Sequence, residues 1–280
     1  MKIIDNIKEL KEEIKKFNGS IGLVPTMGAL HNGHKSLIER ATKENDNVVV
    51  SVFVNPIQFG ANEDLDKYPR QLQKDAKLCE EAGVKIVFAP SPEEMYSGQK
   101  DSLTLICPPY EVVDMLCGKS RPGHFDGVCS VVAKLFNLTK ANKAYFGKKD
   151  YQQLFIIQKM VKDLNFDIEI CPVEIVREES NLALSSRNKY LTEDEKKIAL
   201  NISKSLFEAK KLFKEGTATK RAIVDNSLKL MEELDVEYIE FVDKTTFKFQ
   251  DEINDKTLVL IAARTPSTKT RLIDNMELCE

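Results

Sequence analysis

No stretch of this chain approaches the roughly 20 consecutive apolar residues of a membrane-spanning helix, so no membrane partner is expected. The opening residues, MKIIDNIKELKEEIKKF, mix charged and apolar positions at helical spacing, without the unbroken apolar centre of a secretory signal. The cytoplasm is therefore the expected location. Neither sign of charge is in excess: 41 Lys and Arg stand against 44 Asp and Glu, a net charge of −3. No basic field argues for nucleic acid, and any anion site must be a local feature. The six cysteines (Cys79, Cys107, Cys117, Cys129, Cys171, Cys279) never form C-x-x-C, so separate buried or half-buried thiols are expected and no metal site is read. A G-x-G-x-x-G dinucleotide fingerprint is also missing. Cys117-Gly118-Lys119-Ser120 ends like a P-loop, but Val113 stands where its first glycine belongs and Arg121-Pro122-Gly123 replaces the helix start.

What is present is an ordinary globular composition, 42% hydrophobic and 30% charged over 280 residues, with room for about two domains. Residues 3–17 read as an amphipathic helix, with Ile3, Ile7, Leu10, Ile14 and Phe17 on one face. Ile21–Val24 reads as a short buried strand, Ser36–Glu44 as a helix and Val48–Val54 as a strand covered on both faces. Helix Asp66–Ala82 and strand Val84–Phe88 continue an alternation that predicts a parallel sheet with right-handed crossovers. A strand at Leu103–Ile106 and a short helix at Tyr110–Leu116 are expected next. Helix Phe125–Leu138, strand Ala144–Phe146, helix Tyr151–Leu164 and strands Ile168–Cys171 and Val173–Val176 extend the pattern. Two helices then follow, Thr192–Lys214 with a capping-box start and Lys220–Leu234, before strands at Tyr238–Val242, Leu258–Ala262 and Leu272–Ile273. The expected fold is α/β: a Rossmann-like parallel-sheet domain over residues 1–176 and a smaller α+β C-terminal domain over 177–280.

Ligands of parallel sheets sit beyond the carboxyl ends of the strands. Val24-Pro25-Thr26-Met27-Gly28-Ala29-Leu30-His31-Asn32-Gly33-His34 lies at such an end, between a strand and a helix. That arrangement offers backbone N–H groups and a positive helix end to a phosphate. The chain has only three histidines, and two of them stand here, in H-N-G-H. Neutral imidazoles at a helix N-terminus donate N–H bonds to phosphate oxygens, which count most as charge builds during attack on phosphorus. The third, His124 in Arg121-Pro122-Gly123-His124-Phe125, reads equally as a structural or a functional group. Gly147-Lys148-Lys149-Asp150 is either a phosphate and ribose site after a strand or a solvated basic turn with a good cap. Leu184-Ser185-Ser186-Arg187 suits terminal phosphates but is also an acceptable surface loop. Gln58, in Asn55-Pro56-Ile57-Gln58-Phe59, suits a small hydroxylated ligand or a plain turn. The acidic run Glu63-Asp64-Leu65-Asp66 is better explained by a helix N-terminus than by a metal.

Seven segments in order, VPTMGALHNGH, FVNPIQF, DLDKYPR, RPGHF, YFGKKDYQQL, LALSSRN and TRLIDN, resemble the pantothenate synthetase (pantoate–β-alanine ligase) family. That family belongs to the H-x-G-H nucleotidylyl-transferases. The resemblance implies condensation of pantoate with β-alanine through an enzyme-bound pantoyl adenylate, with ATP as substrate, Mg²⁺ alongside it, and a homodimer. It implies an ATP site lined by Met27, Gly28, Ala29, Leu30, His31, Asn32, Gly33 and His34, with His34 as proton donor and His31 assisting. Gly147, Lys148, Lys149 and Asp150 would hold phosphates and ribose, with Lys149 counted among the catalytic groups. Val176 and Leu184 would contact adenine or ribose through backbone, and Ser185, Ser186 and Arg187 the terminal phosphates. Gln58 and Gln153 would bind pantoate, with Arg121 in the same site.

The chain departs from the family pattern at Lys148 (usually Glu), Asn181 (commonly Gly), Asp126, Cys129 and a longer Thr265–Thr268 segment. A relative that stops at nucleotidyl transfer is a competing reading, but it would not need the pantoate-type segments. A non-catalytic nucleotide-binding module is a third, opposed by the intact His31, His34, Lys149 and Arg187.

Overall fold

The computed structural model describes residues 1–61, 63–97 and 102–279. The chain divides into two compact units, Met1–Lys148 with Gln152–Glu174, and Lys149–Tyr151 with Ile175–Glu280. In the first unit six parallel strands form one sheet: β1 (Lys2–Ile4), β2 (Ile21–Thr26), β3 (Asn47–Val52), β4 (Ile86–Phe88), β5 (Lys143–Gly147) and β6 (Glu169–Val173). Their order is β1-β4-β3-β2-β5-β6. The chain runs outward from β2 through β3 to β4, then returns to the other side of β2 for β5 and β6. The order therefore reverses between β2 and β5, the place where such sheets open a crevice. Pairing between these two strands stops early, at Gly22↔Lys143 and Leu23↔Ala144, while β2 continues along β3 to Thr26. Pro25 lies beyond the last β5 rung and has no N–H to donate, so the chain forgoes no hydrogen bond by parting there.

Helix α2 (Asn32–Glu44) packs on β2 and β5. With α3 (Leu72–Glu81) it closes a core of Val24, Leu37, Ile38, Val48, Val50, Cys79 and Tyr145. Helix α7 (His124–Thr139), buried along most of its length, packs on β2 and on α1 (Ile7–Ile14). Short helices α4 (Pro92–Tyr96), α5 (Tyr110–Val113) and α6 (Leu116–Ser120) lead into it, and α8 (Tyr151–Asp163) follows β5. In the second unit α9 (Glu193–Lys214) and α10 (Lys220–Leu230) cover an antiparallel sheet of β7 (Asp235–Asp243), β8 (Thr257–Arg264) and β9 (Arg271–Glu277). This is the α/β plus smaller α+β architecture that the sequence pattern predicts. No helix among the described residues is long and apolar enough to cross a membrane.

Several elements differ from expectation. The start of the predicted 3–17 helix is instead edge strand β1, because the Asn6 side chain accepts the Glu9 N–H and caps α1 at Ile7. Helix α3 begins at Leu72 rather than Asp66, since Pro69 disfavours helical backbone at Tyr68. The acidic run 63–66 is therefore not the start of a helix. Residues 103–106 form no strand; Ile106 N–H donates to the Ser130 hydroxyl on α7. The expected helix 110–116 is two short ones, α5 and α6. The two strands expected around Pro172 are one, β6, tolerated because β6 is an edge strand paired only with β5. The cysteines are free thiols, with Cys107 and Cys279 exposed rather than half-buried.

Candidate active site

The H-N-G-H segment sits directly after β2, at the switch point. His31 is the N-cap of α2: its Nδ1 accepts the Gly33 N–H at 3.1 Å, and His34 Nδ1 accepts the His31 N–H at 3.3 Å. The rings lie 4.1 Å apart, tilted by 42°. A nitrogen that accepts a backbone N–H carries no proton, so each neutral imidazole bears its proton on Nε2. The capping box thus makes two N–H donors, and imidazolium at either position would break a cap bond.

Backbone donors of the loop are largely used internally. Gly28 N–H donates to Thr26 Oγ1 at 3.1 Å, and the Ala29 and Leu30 N–H groups donate to the carboxylate of Asp75 at 2.9 and 2.8 Å. The sequence pattern offers these amides to a phosphate; in the folded chain they hold the turn instead. Asp75, on α3, is 1% exposed and was not legible as a site residue. Its only sequence signal is a charge on the otherwise apolar Leu72-Asp75-Ala76-Cys79 stripe.

Gln58 is buried in a short turn, Pro56–Gln58, after β3. Its Oε1 accepts Asn55 Nδ2 at 2.9 Å, and Asn55 Oδ1 in turn accepts the Tyr96 hydroxyl at 2.6 Å. Burial raises the Tyr96 phenol well above its ordinary pKa, keeping it a donor. The Gln58 amide nitrogen faces the thioether of Met27, 3.1 Å away, a weak acceptor that a carboxylate or hydroxyl would displace. His124 supports the same turn. Arg121 only donates, so the 2.9 Å contact from its Nη1 makes His124 Nε2 an acceptor, leaving Nδ1–H to donate to the Gln58 carbonyl at 2.8 Å. His124 is therefore of the opposite tautomer to the other two histidines. Arg121 also forms a two-bond ion pair with Glu63, at 2.8 and 2.5 Å, which explains that acidic residue. Close approach of α7 to the Gln58 turn requires Gly127, where a Cβ would lie 2.5 Å from the Ile57 carbonyl oxygen and 2.7 Å from Gln58 N.

Of the two adjacent glutamines on α8, Gln152 is consumed by the fold. It donates to the Val112 and Met115 carbonyls and accepts the Cys117 N–H, at 2.8, 2.9 and 3.0 Å. Gln153 is half-buried and has no hydrogen-bond partner among the described residues. Gly147 ends β5 beside the switch point, and Lys148 pairs with the exposed Glu174 at 2.7 Å.

In the second unit the Lys149 carbonyl accepts from Asn275 of β9 at 2.8 Å, and Tyr151 stacks on Phe247. The Lys149 ammonium has no partner among the described residues. Asp150 is exposed. Val176 and Leu184 face each other across a hairpin, the Leu184 N–H donating to the Val176 carbonyl at 3.0 Å. Arg177 beside them is held by Asp274 at 2.5 and 2.9 Å. Ser185 Oγ accepts the Arg187 N–H at 3.2 Å, opening a 3₁₀ turn over Ser186–Tyr190. Beneath it Asn188 donates to the Ala183 carbonyl and to Glu178, 3.1 and 3.2 Å away. Among the described residues no group of three or more His, Cys, Asp or Glu converges on a metal position.

A parallel sheet that reverses at a switch point, with two imidazoles at the helix N-terminus beside it, is an α/β architecture that takes ligands at the carboxyl ends of its strands. More particularly, the chain belongs to the pantoate–β-alanine ligase family, whose model matches residues 2–277. It is 50% identical to the pantothenate synthetase of Clostridium acetobutylicum, over 98% of each chain. With the enzyme of Clostridium novyi it shares 51% identity over 97% of this chain and 95% of that one. The pantothenate synthetase structure from Thermus thermophilus matches with a TM-score of 0.94 at 40% identity, covering all of both chains. That of the Francisella tularensis pantoate–β-alanine ligase, solved with beta-gamma ATP and beta-alanine, matches with a TM-score of 0.83 at 37% identity over 99% and 98% of the two chains.

Proposed function

We propose that the chain joins (R)-pantoate to β-alanine, with MgATP as co-substrate, through an enzyme-bound pantoyl adenylate. The pantoate carboxylate attacks the α-phosphorus of ATP and pyrophosphate leaves. The β-alanine amine then attacks the acyl carbon, loses a proton, and expels AMP to give pantothenate. Family membership supports the reaction, and the observation that carries the assignment of roles is the pair of Nε2–H imidazoles fixed by the capping box. Such donors stabilise charge on the bridging oxygen as the phosphorus is attacked, without reorganising during the step.

In this reading Met27, Gly28, Ala29, Leu30, Asn32 and Gly33 shape the ATP site around His31 and His34. Lys149, Ser185, Ser186 and Arg187 bind the phosphates, Asp150 the ribose, and Gly147, Val176 and Leu184 the nucleoside. The weakly satisfied Gln58 amide and the available Gln153 amide take pantoate, with Arg121 bracing the Gln58 turn from its ion pair with Glu63. Lys148, engaged by Glu174, adds positive charge nearby rather than a second catalytic ammonium. The C-terminal unit acts as a lid, and the enzyme works as a homodimer in the cytoplasm, without nucleic acid.

ATP–pyrophosphate exchange tests the proposal directly. Exchange that requires pantoate, followed by AMP and pantothenate release on adding β-alanine, is the expected result. Exchange indifferent to pantoate would overturn it in favour of a nucleotidyl transferase.

A further inference from the structure

The turn that delivers the two imidazoles is held in a backbone conformation its own sequence disfavours. Gly28 and Ala29 both lie in the left-handed region, at φ +83° and +52°. Glycine adopts that region freely, but an alanine there is strained and persists only where its surroundings over-determine it. Thr26 Oγ1 holds the Gly28 N–H at 3.1 Å, and the next two N–H groups are held by one side chain. Asp75 Oδ2 accepts the Ala29 N–H at 2.9 Å, and Oδ1 accepts both the Leu30 N–H at 2.8 Å and Gln71 Nε2 at 3.2 Å. Gly28 also leaves room for this carboxylate: a Cβ there would lie 3.0 Å from Asp75 Oδ2 and 2.9 Å from the Val52 side chain. The next two residues of the chain are Leu30 and the N-cap, His31.

We infer that Asp75 is a positioning residue: it clamps the Gly28-Ala29 turn in its left-handed form and thereby sets both imidazoles in their capping box with Nε2 protonated. This rests on the roles proposed above for His31 and His34. An acid is required because two adjacent N–H groups point at one side chain, and only a carboxylate presents an acceptor to each. Asparagine in the same place would turn its own N–H₂ against one of them.

The inference is tested with D75N, A29G and the double variant in the full-length protein. Single-turnover pantoyl adenylate formation is expected to fall about 10–100-fold in D75N, the scale of a misplaced donor. Melting temperature is recorded alongside. Ala29 lines the proposed ATP site, so A29G alone is measured as the reference against which the double variant is read. Glycine adopts the left-handed turn without strain, so A29G in the D75N background should recover most of the lost rate. A D75N enzyme that melts earlier but turns over normally would overturn the inference, as would a slow D75N enzyme that A29G does not rescue. The second readout is independent of activity. In ¹⁵N-labelled protein, His31 and His34 should report Nε2–H tautomers that become mixed in D75N and are restored by A29G. His124, outside the turn, should remain Nδ1–H as an internal control. Unchanged tautomers at His31 and His34 in D75N would also overturn the inference. Wild-type protein inert in pantoate-dependent exchange would instead refute the proposed reaction, while the tautomer measurement still decides the clamp.

Discussion

Replacing His34 by alanine removes one of the two N–H donors and also the acceptor of the His31 N–H. Adenylate formation in single turnover is expected to slow by on the order of 10²–10³, the usual consequence of losing a transition-state donor. An unchanged rate would remove His34 from the chemistry. The importance of this residue was legible in the sequence because histidine is rare here and H-N-G-H stands between strand and helix signals. Its tautomer was not, since that depends on which backbone N–H each Nδ1 meets. Gln152 and Gln153 show the same limit. The fold uses the first to hold residues 112–117, contacts made some 35 to 40 positions away in sequence, and gives the second no partner among the described residues. Nothing local separates two adjacent glutamines.

Elements were legible where periodicity was long and caps were conventional. The Thr192/Glu195 capping box of α9 is an example: Thr192 Oγ1 accepts the Glu195 N–H, and the Glu195 carboxylate accepts the Thr192 N–H, both at 3.2 Å. Short edge elements such as β1, three residues long, carry too little pattern to override a neighbouring helical period. Contacts between elements were the least legible, and Gly127 is the clearest case. In sequence it is one glycine inside a helical stretch, a mildly unfavourable residue. In the fold it is where α7 touches backbone atoms of the Gln58 turn. Those atoms cannot rotate away, so G127A must push the helix and the turn apart. The expected cost is about 1–3 kcal/mol of stability, typical of overpacking. Because the displaced turn carries the Gln58 amide, the KM for pantoate should rise more than that for ATP. Equal shifts in both would count against Gln58 as a pantoate ligand.

At the scale of the molecule each unit contains a carboxylate held far below its ordinary pKa of 4.5, by different physics. Glu44, at the end of α2, is lowered to about 2 by Arg40 first, at 2.8 Å, then by the Tyr145 hydroxyl at 2.9 Å, with Lys143 at 3.3 Å. Glu195, on α9, is pushed up by burial. Hydrogen bonds from the Thr268 and Thr192 N–H groups and from the Thr265 and Thr268 hydroxyls outweigh that and bring it to about 2. Its Oε1 also accepts the Ser267 N–H at 3.0 Å, which anchors the Thr265–Thr268 segment. The sign follows from linkage: a carboxyl whose pKa is lower in the folded than in the unfolded chain stabilises fully above pH 4.5, and the contribution is lost as pH falls toward 2. Thermal stability should therefore drop across that window, and both E44Q and E195Q should flatten the drop. The two differ in salt. Glu44 is partly exposed and held mainly by cations, so its share should shrink as ionic strength screens them. Glu195 is buried and held by neutral N–H and O–H donors, so its share should persist. Melting curves from pH 2 to 7 at low salt and at about 0.5 M NaCl, for wild type and each variant, measure this. Equal salt sensitivity of the two contributions would refute the assignment of Glu44 to cation pairing and Glu195 to neutral hydrogen bonds.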